Sequence, residues 1–185
     1  YSSSSSSTRG ATGNYSTAMG RSTTASGNYS TAMGISTTTS GNSSTAMGDS
    51  SAASGYAATA MGLYTTASGY ASTAMGNSST ANGFTSTAMG RNTTASGDYS
   101  TAMGYGTTAS GIVSTALGFL TTASDYASTV IGQYNSSGSS VTNSASLFST
   151  SNTAFVIGNG TNSSNKSDAF KVMFNGDTTV SNDLT

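Results

Sequence analysis

Methionine returns every fourteen residues, at Met19, Met33, Met47, Met61, Met75, Met89 and Met103, and the series continues in register as Leu117 and Ile131. Glycine returns every seven residues from Gly13 to Gly132, with Asp125 in place of one of them. The repeat is therefore a fourteen-residue coil of two similar halves, G-x-x-S-T-A-M and G-x-x-T-T-A-S. Self-similarity at a short fixed period is the signature of a quasi-one-dimensional fold in which each unit packs only on its neighbours. The register predicts an all-β parallel β-roll solenoid with fourteen residues per coil.

Local chemistry agrees with that reading. Each half alternates in character, as in Ser16-Thr17-Ala18-Met19, and is closed by a glycine and two variable positions. Threonine favours strands and glycine supplies the positive φ of a tight corner, so each half reads as one short strand and one turn. The chain has no proline, as suits strands whose every N–H must reach a neighbouring rung. A helix would be interrupted by glycine every seven residues and weakened by so many β-branched threonines.

Comparing the halves assigns faces. Two residues before each glycine both halves carry alanine, with exceptions at Thr39 and Val130; one residue before, the first half carries methionine and the second serine or asparagine, as at Ser26, Ser40 and Asn82. Successive strand side chains point to opposite sides. The simplest solution puts Ala18, Ala25, Ala32, Ala46, Ala53, Ala60, Ala67, Ala74, Ala88 and Ala102 inside the roll and the methionines outside. The reverse arrangement leaves the methionine-to-serine alternation unexplained. An exposed stripe of Met19, Met33, Met47, Met61, Met75, Met89, Met103, Leu117 and Ile131 is unusual for a soluble monomer. Burying nine such side chains is worth about 15–25 kcal/mol before entropy is subtracted. The expectation is an obligate oligomer with closed cyclic symmetry about an axis parallel to the coil, these nine residues forming its interface.

Composition removes several functions. Charged residues make up 6% of the 185-residue chain and the net charge is -1, so no basic patch offers itself to nucleic acid. The apolar runs fall far short of the ~20 residues of a membrane helix, so no membrane contact is expected within this segment. Cysteine, histidine and glutamate are absent, which removes the usual metal ligands and general bases. The six aspartates, Asp49, Asp98, Asp125, Asp168, Asp177 and Asp183, show no paired spacing and read as turn residues. Asn175-Gly176-Asp177 lacks the further oxygens of a calcium loop. No catalytic residue, metal site or cofactor is expected. Sequons such as Asn14-Tyr15-Ser16 and Asn28-Tyr29-Ser30 occur about as often as chance allows in so hydroxyl-rich a chain. The chain opens at Tyr1 with a serine run and without an initiator methionine or signal-type segment, as a processed or excised piece does.

The Ser-Thr-Ala-Met-Gly and Thr-Thr-Ala-Ser-Gly pairs resemble the haemagglutinin-type head repeats of trimeric autotransporter adhesins, over roughly residues 10–132. The first strand departs from the family's usual valine and isoleucine in having threonine and methionine, which makes this roll more polar. The resemblance implies a left-handed roll, three identical chains around one axis, and display outside the cell. Related repeats occur in phage tail fibres, so a cell surface and a virion fibre are both open.

Four regions follow: a serine-rich tail over 1–9, the roll of about nine coils over 10–132, a serine-rich transition over 133–153, and a strand and hairpin segment over 154–185. In the last, Ala154–Gly158 resembles one more strand of the family pattern. Asp168–Phe174 alternates and meets Asn175-Gly176, a strong hairpin signal. By resemblance, this segment would lead to a C-terminal anchor or chaperone. Asp125, standing where the repeat has glycine, is expected to distort its corner, because aspartate occupies positive φ at some cost.

Aromatic residues gather at the variable corners: Tyr15, Tyr29, Tyr56, Tyr64, Tyr70, Phe84, Tyr99, Tyr105, Phe119 and Tyr126. They read first as stacks between rungs and second as a platform for sugars or another surface, with Tyr29, Tyr70 and Tyr99 as the candidate ligand-facing corners. The functional expectation is a non-enzymatic structural and adhesive segment of an extracellular trimeric fibre. Its partners would be its own copies and host or surface glycans or matrix. Two alternatives stand beside it: an ice- or crystal-surface binder using the Thr24-x-Ser26, Thr66-x-Ser68 and Thr94-x-Ser96 columns, and a passive spacer of a phage tail fibre.

Overall fold

The computed structural model describes residues 10–181; the serine-rich tail over 1–9 and Asp183 lie outside the described residues. Two parallel sheets wind through the repeats. One contains nine two-residue strands, β1 (Gly10–Ala11), β3 (Thr24–Ala25) and the odd-numbered strands onward to β17 (Thr122–Ala123). The other begins with nine five-residue strands, from β2 (Thr17–Arg21) and β4 (Thr31–Ile35) through the even-numbered strands to β18 (Thr129–Gln133). Each coil contributes one strand to each sheet, and pairing is in register, for example Met61↔Met75 and Ala60↔Ala74.

The two halves are less alike than the repeat suggests. The long strand runs through its glycine: Gly62 sits inside β8 (Thr59–Leu63) at φ 131, where an added Cβ would meet the Gly76 carbonyl oxygen. Only glycine permits both that φ and that approach. In the other half the Ser54 and Gly55 N–H groups converge on the Ala67 carbonyl, at 2.9 and 3.3 Å, so the ladder bends and the strand stops after two residues. Gly55 is not at positive φ, yet its Cβ would strike the Gly69 carbonyl. Positive φ falls instead two residues after each glycine, mostly on other residue types: Tyr29 (φ 58), Ala57 (φ 54), Thr85 (φ 52) and Val113 (φ 61) among seventeen. Inter-rung bonds such as Ala57 N–H to the Asn42 carbonyl, 2.9 Å, hold these residues in the left-handed region despite its cost of about 1–2 kcal/mol each.

The core is a narrow column of alanine and hydroxyl side chains. Ala25, Ala32, Ala46, Ala53, Ala60, Ala67, Ala74, Ala88 and Ala102 are at most 1% exposed; Ala18, on the first long strand, is half-buried. Two residues earlier in each half a serine or threonine also points inward. Ser30, Thr37, Ser44, Thr65, Ser72, Thr93, Ser100 and Thr107 belong to this second column, which the face assignment from alanine and methionine had not included. Its signal is plain in retrospect, because a small hydroxyl residue stands four positions before nearly every glycine. Several of these hydroxyls close the corner turns. Ser72 Oγ donates to the Gly69 carbonyl at 2.8 Å, alongside its own N–H at 3.2 Å.

Beyond Gln133 the chain crosses the end of the roll and returns as β19 (Thr153–Asn159), a further parallel rung that sets Val156 on Val130 and Ile157 on Ile131. Then β20 (Asp168–Met173) and β21 (Thr178–Val180) add antiparallel, joined through Asn175-Gly176. Asp125 overturns the expectation of a distorted corner. Its φ is not positive, because this glycine column never required positive φ but only the absence of a Cβ beneath the next rung. The regular coil ends here, and the fully buried carboxylate accepts from Thr142 N–H at 2.6 Å and Thr153 N–H at 2.8 Å. With Asn135, which bonds both the N–H and the carbonyl of Thr122 (2.8 Å each), it fastens the transition segment across the last coil.

Candidate functional site

The roll offers three kinds of outward surface. The first is the outer side of the long-strand sheet, where Met33, Met47, Met61, Met75, Met89, Leu117 and Ile131 are partly exposed, Met103 37% and Met19 59%. In-register pairing aligns them in one file from Met19 to Ile131. Residues directly opposite on paired strands share a face, so the file continues through Ile157, Phe170 and Val180. Beside it, Phe155 and Val172 extend the threonine file of Thr115 and Thr129. The apolar stripe therefore runs from the first long strand onto the terminal hairpin, about 43 Å from β2 to β19 at ~4.8 Å per rung.

The second surface is the outer side of the short-strand sheet. Threonine and serine alternate across it in register, Thr66 beside Thr80 and Thr94 beside Thr108, with Ser68, Ser96 and their equivalents turned outward. Ala52 and Asn82 interrupt the two files.

The third comprises the corners, where aromatic rings stack along the roll. At one corner Tyr15 lies on Tyr29 (ring centroids 5.3 Å apart), then Tyr56 on Tyr70 (5.1 Å), Tyr70 on Phe84 (4.8 Å), and Phe84 against the tilted ring of Tyr99 (5.5 Å). At the opposite corner Tyr105 lies on Phe119 at 5.0 Å, with the Arg91 guanidinium over the Tyr105 ring. Stacking decides what each ring offers. A ring within a stack spends its faces on its neighbours and shows its edge and hydroxyl to solvent. Tyr70 has both faces covered, whereas Tyr29 and Tyr99 end their stacks and keep one face outside them. The three candidate corners thus separate into one edge and two partly free faces. Asparagine and aspartate at the first corner position take up backbone donors of the rung below, as in Asn14 N–H to Asn28 Oδ1 at 3.0 Å and Phe84 N–H to Asp98 Oδ1 at 2.8 Å.

Among the described residues, no three acidic, histidine or cysteine side chains lie close enough to hold a metal ion, and no helix is long and apolar enough to cross a membrane. Against known families, the model of the YadA head domain repeat matches residues 11–37, 40–65, 53–79, 67–83, 81–107 and 109–135. The chain belongs to the YadA head-repeat family. The matches begin and end with the roll, stopping at the point where the fourteen-residue register stops. YadA head repeats form a structural adhesin fold and are not an enzyme family. No curated protein matches the chain.

Proposed function

We propose that the chain is a structural and adhesive segment of an extracellular trimeric fibre, whose three copies meet through the methionine file and whose corners face outward. The continuous apolar file from Met19 to Val180, on one side of one sheet, carries this reading. Neighbouring rungs already cover much of each methionine, so assembly gains roughly a third of a full burial each, on the order of 5–8 kcal/mol per chain. Three-fold closure covers every file at once and leaves no sticky face for open-ended growth. The partners are two further copies and, at the corners, glycans or matrix of a host or surface. Display outside the cell, on a cell envelope or a virion, follows from the same family reading.

Adhesion through repetition predicts a graded response. Each corner recurs three times per rung in a trimer, so weak contacts gain from effective concentration. Changing one, three and then six of the corner aromatics to serine should weaken attachment to cells or glycan-coated surfaces in steps while the oligomer persists. Complete loss from one substitution would point to a discrete pocket instead, and no loss from six would make the segment a spacer. A second reading draws on the in-register Thr/Ser face, a two-dimensional hydroxyl lattice of about 4.8 by 6.6 Å suited to ordered water or a crystal surface. Thermal hysteresis in solution would favour it over glycan adhesion.

A further inference from the structure

At the C-terminal end, a cleft of about 290 Å³ opens between the 136–137 loop and the last hairpin. Four cationic residues fall among the described residues, and two of them, Lys166 and Lys171, line this one cleft. Neither makes an ion pair among the described residues. The acidic residue of the cleft, Asp168, is already engaged: its two carboxylate oxygens accept from Ser136 N–H and Ser137 N–H, at 2.8 Å each. The hydroxyls of Ser136, Ser137 and Thr179 have no partner within the described structure. The cleft therefore holds two unpaired ammonium groups, one neutralising carboxylate whose oxygens are occupied, and a fringe of free hydroxyls.

We propose that this cleft binds a saccharide ring bearing one negative charge, a uronic acid or a sulfated sugar. The net charge of the lining, two lysines against one aspartate, calls for a single anionic group. Two ammonium groups make charge-assisted hydrogen bonds to carboxylate or sulfate oxygens. The serine and threonine hydroxyls match ring hydroxyls, and the volume, just under the ~300 Å³ lower bound of ligand pockets, suits one ring. Position also favours use. Lys171 pairs with Thr179 on one side and with Val156 on the other, and Val156 faces the roll interior. Lys171 and Thr179 thus lie on the side of the sheet away from Ile157, Phe170 and Val180, so covering the methionine file leaves the cleft open.

This site lies outside the repeats; it rests on the adhesive reading for its biological sense but not for its chemistry. The test is titration of the full chain with glucuronate, glucose 6-sulfate, glucose and inorganic sulfate, followed by backbone NMR shifts or calorimetry. One or both acidic sugars should bind, more tightly than glucose or sulfate alone, and less tightly as salt rises; which of them binds identifies the anionic group. Lys166→Gln with Lys171→Gln should weaken binding about tenfold or more, and the corresponding pair of arginine substitutions should largely retain it. Failure of both acidic sugars to bind, equal binding of glucose, sulfate binding as tight as any sugar, or indifference to the glutamine pair would each overturn the proposal. The corner-aromatic variants serve as the independent arm. They should leave sugar titration unchanged, so failure of adhesion at the corners and failure of the cleft are read separately.

Discussion

Thr107 places a hydroxyl inside the roll with no partner, as do Thr37, Ser86, Ser114 and Thr121. One register position away the same chemistry is satisfied: Thr65 Oγ1 donates to Ser51 Oγ at 2.8 Å, and Thr93 Oγ1 to Ser79 Oγ at 2.9 Å. For the threonines the difference lies in the rung below: serine hydroxyls accept beneath Thr65 and Thr93, whereas threonine stands beneath Thr37, Thr107 and Thr121. A buried hydroxyl without a partner costs about 1–3 kcal/mol, and valine has nearly the same shape. Thr107→Val should therefore raise the unfolding midpoint, by about 1 kcal/mol, whereas Thr65→Val should lower it by a similar amount. Thermal or urea unfolding of the two variants in parallel checks the sign, and a common sign for both would refute this account of the interior.

At the scale of the element, the end of the roll is set by what replaces the next coil. Asp125 is instructive because the repeat pattern invites its correction to glycine. That substitution removes the acceptors of Thr142 N–H and Thr153 N–H, the second of them buried. Asp125→Gly should destabilise the chain by about 3 kcal/mol although it restores the repeat, and Asp125→Asn should fall between. An unchanged or raised urea midpoint for Asp125→Gly would contradict the clamp. The same residue marks where sequence reading stops. Periodicity exposed the roll, its coil length and the alternation of alanine with methionine, because each rests on local geometry repeated many times. It could not expose the clamp, the left-handed residues two places after each glycine, or the cleft of Lys166 and Lys171. The clamp and the cleft depend on contacts made once, such as Asp168 with Ser136, whereas the left-handed residues recur on every rung but on many residue types, so no residue type marks them. The aromatic corners lay between these cases: their positions were legible, but whether a ring shows a face or an edge depends on stack order, with Tyr70 between Tyr56 and Phe84 and Tyr29 against Tyr15 alone.

For the whole molecule, the central claim is that the file from Met19 through Ile131, continued by Ile157, Phe170 and Val180, holds three chains together. Met61 and Met75 sit mid-file on adjacent rungs, partly exposed, with side chains outside the alanine core. A carboxylate at those positions meets water in the single chain but an apolar partner in the assembly, so its cost falls on association and leaves the coil largely intact. The decisive measurement is sedimentation equilibrium of the full chain and of Met61→Asp with Met75→Asp, with circular dichroism recorded on the same samples. The account predicts a trimer for the parent and a β-rich monomer, or a strongly weakened trimer, for the variant. A folded trimer in both would show that the methionine file is not the interface.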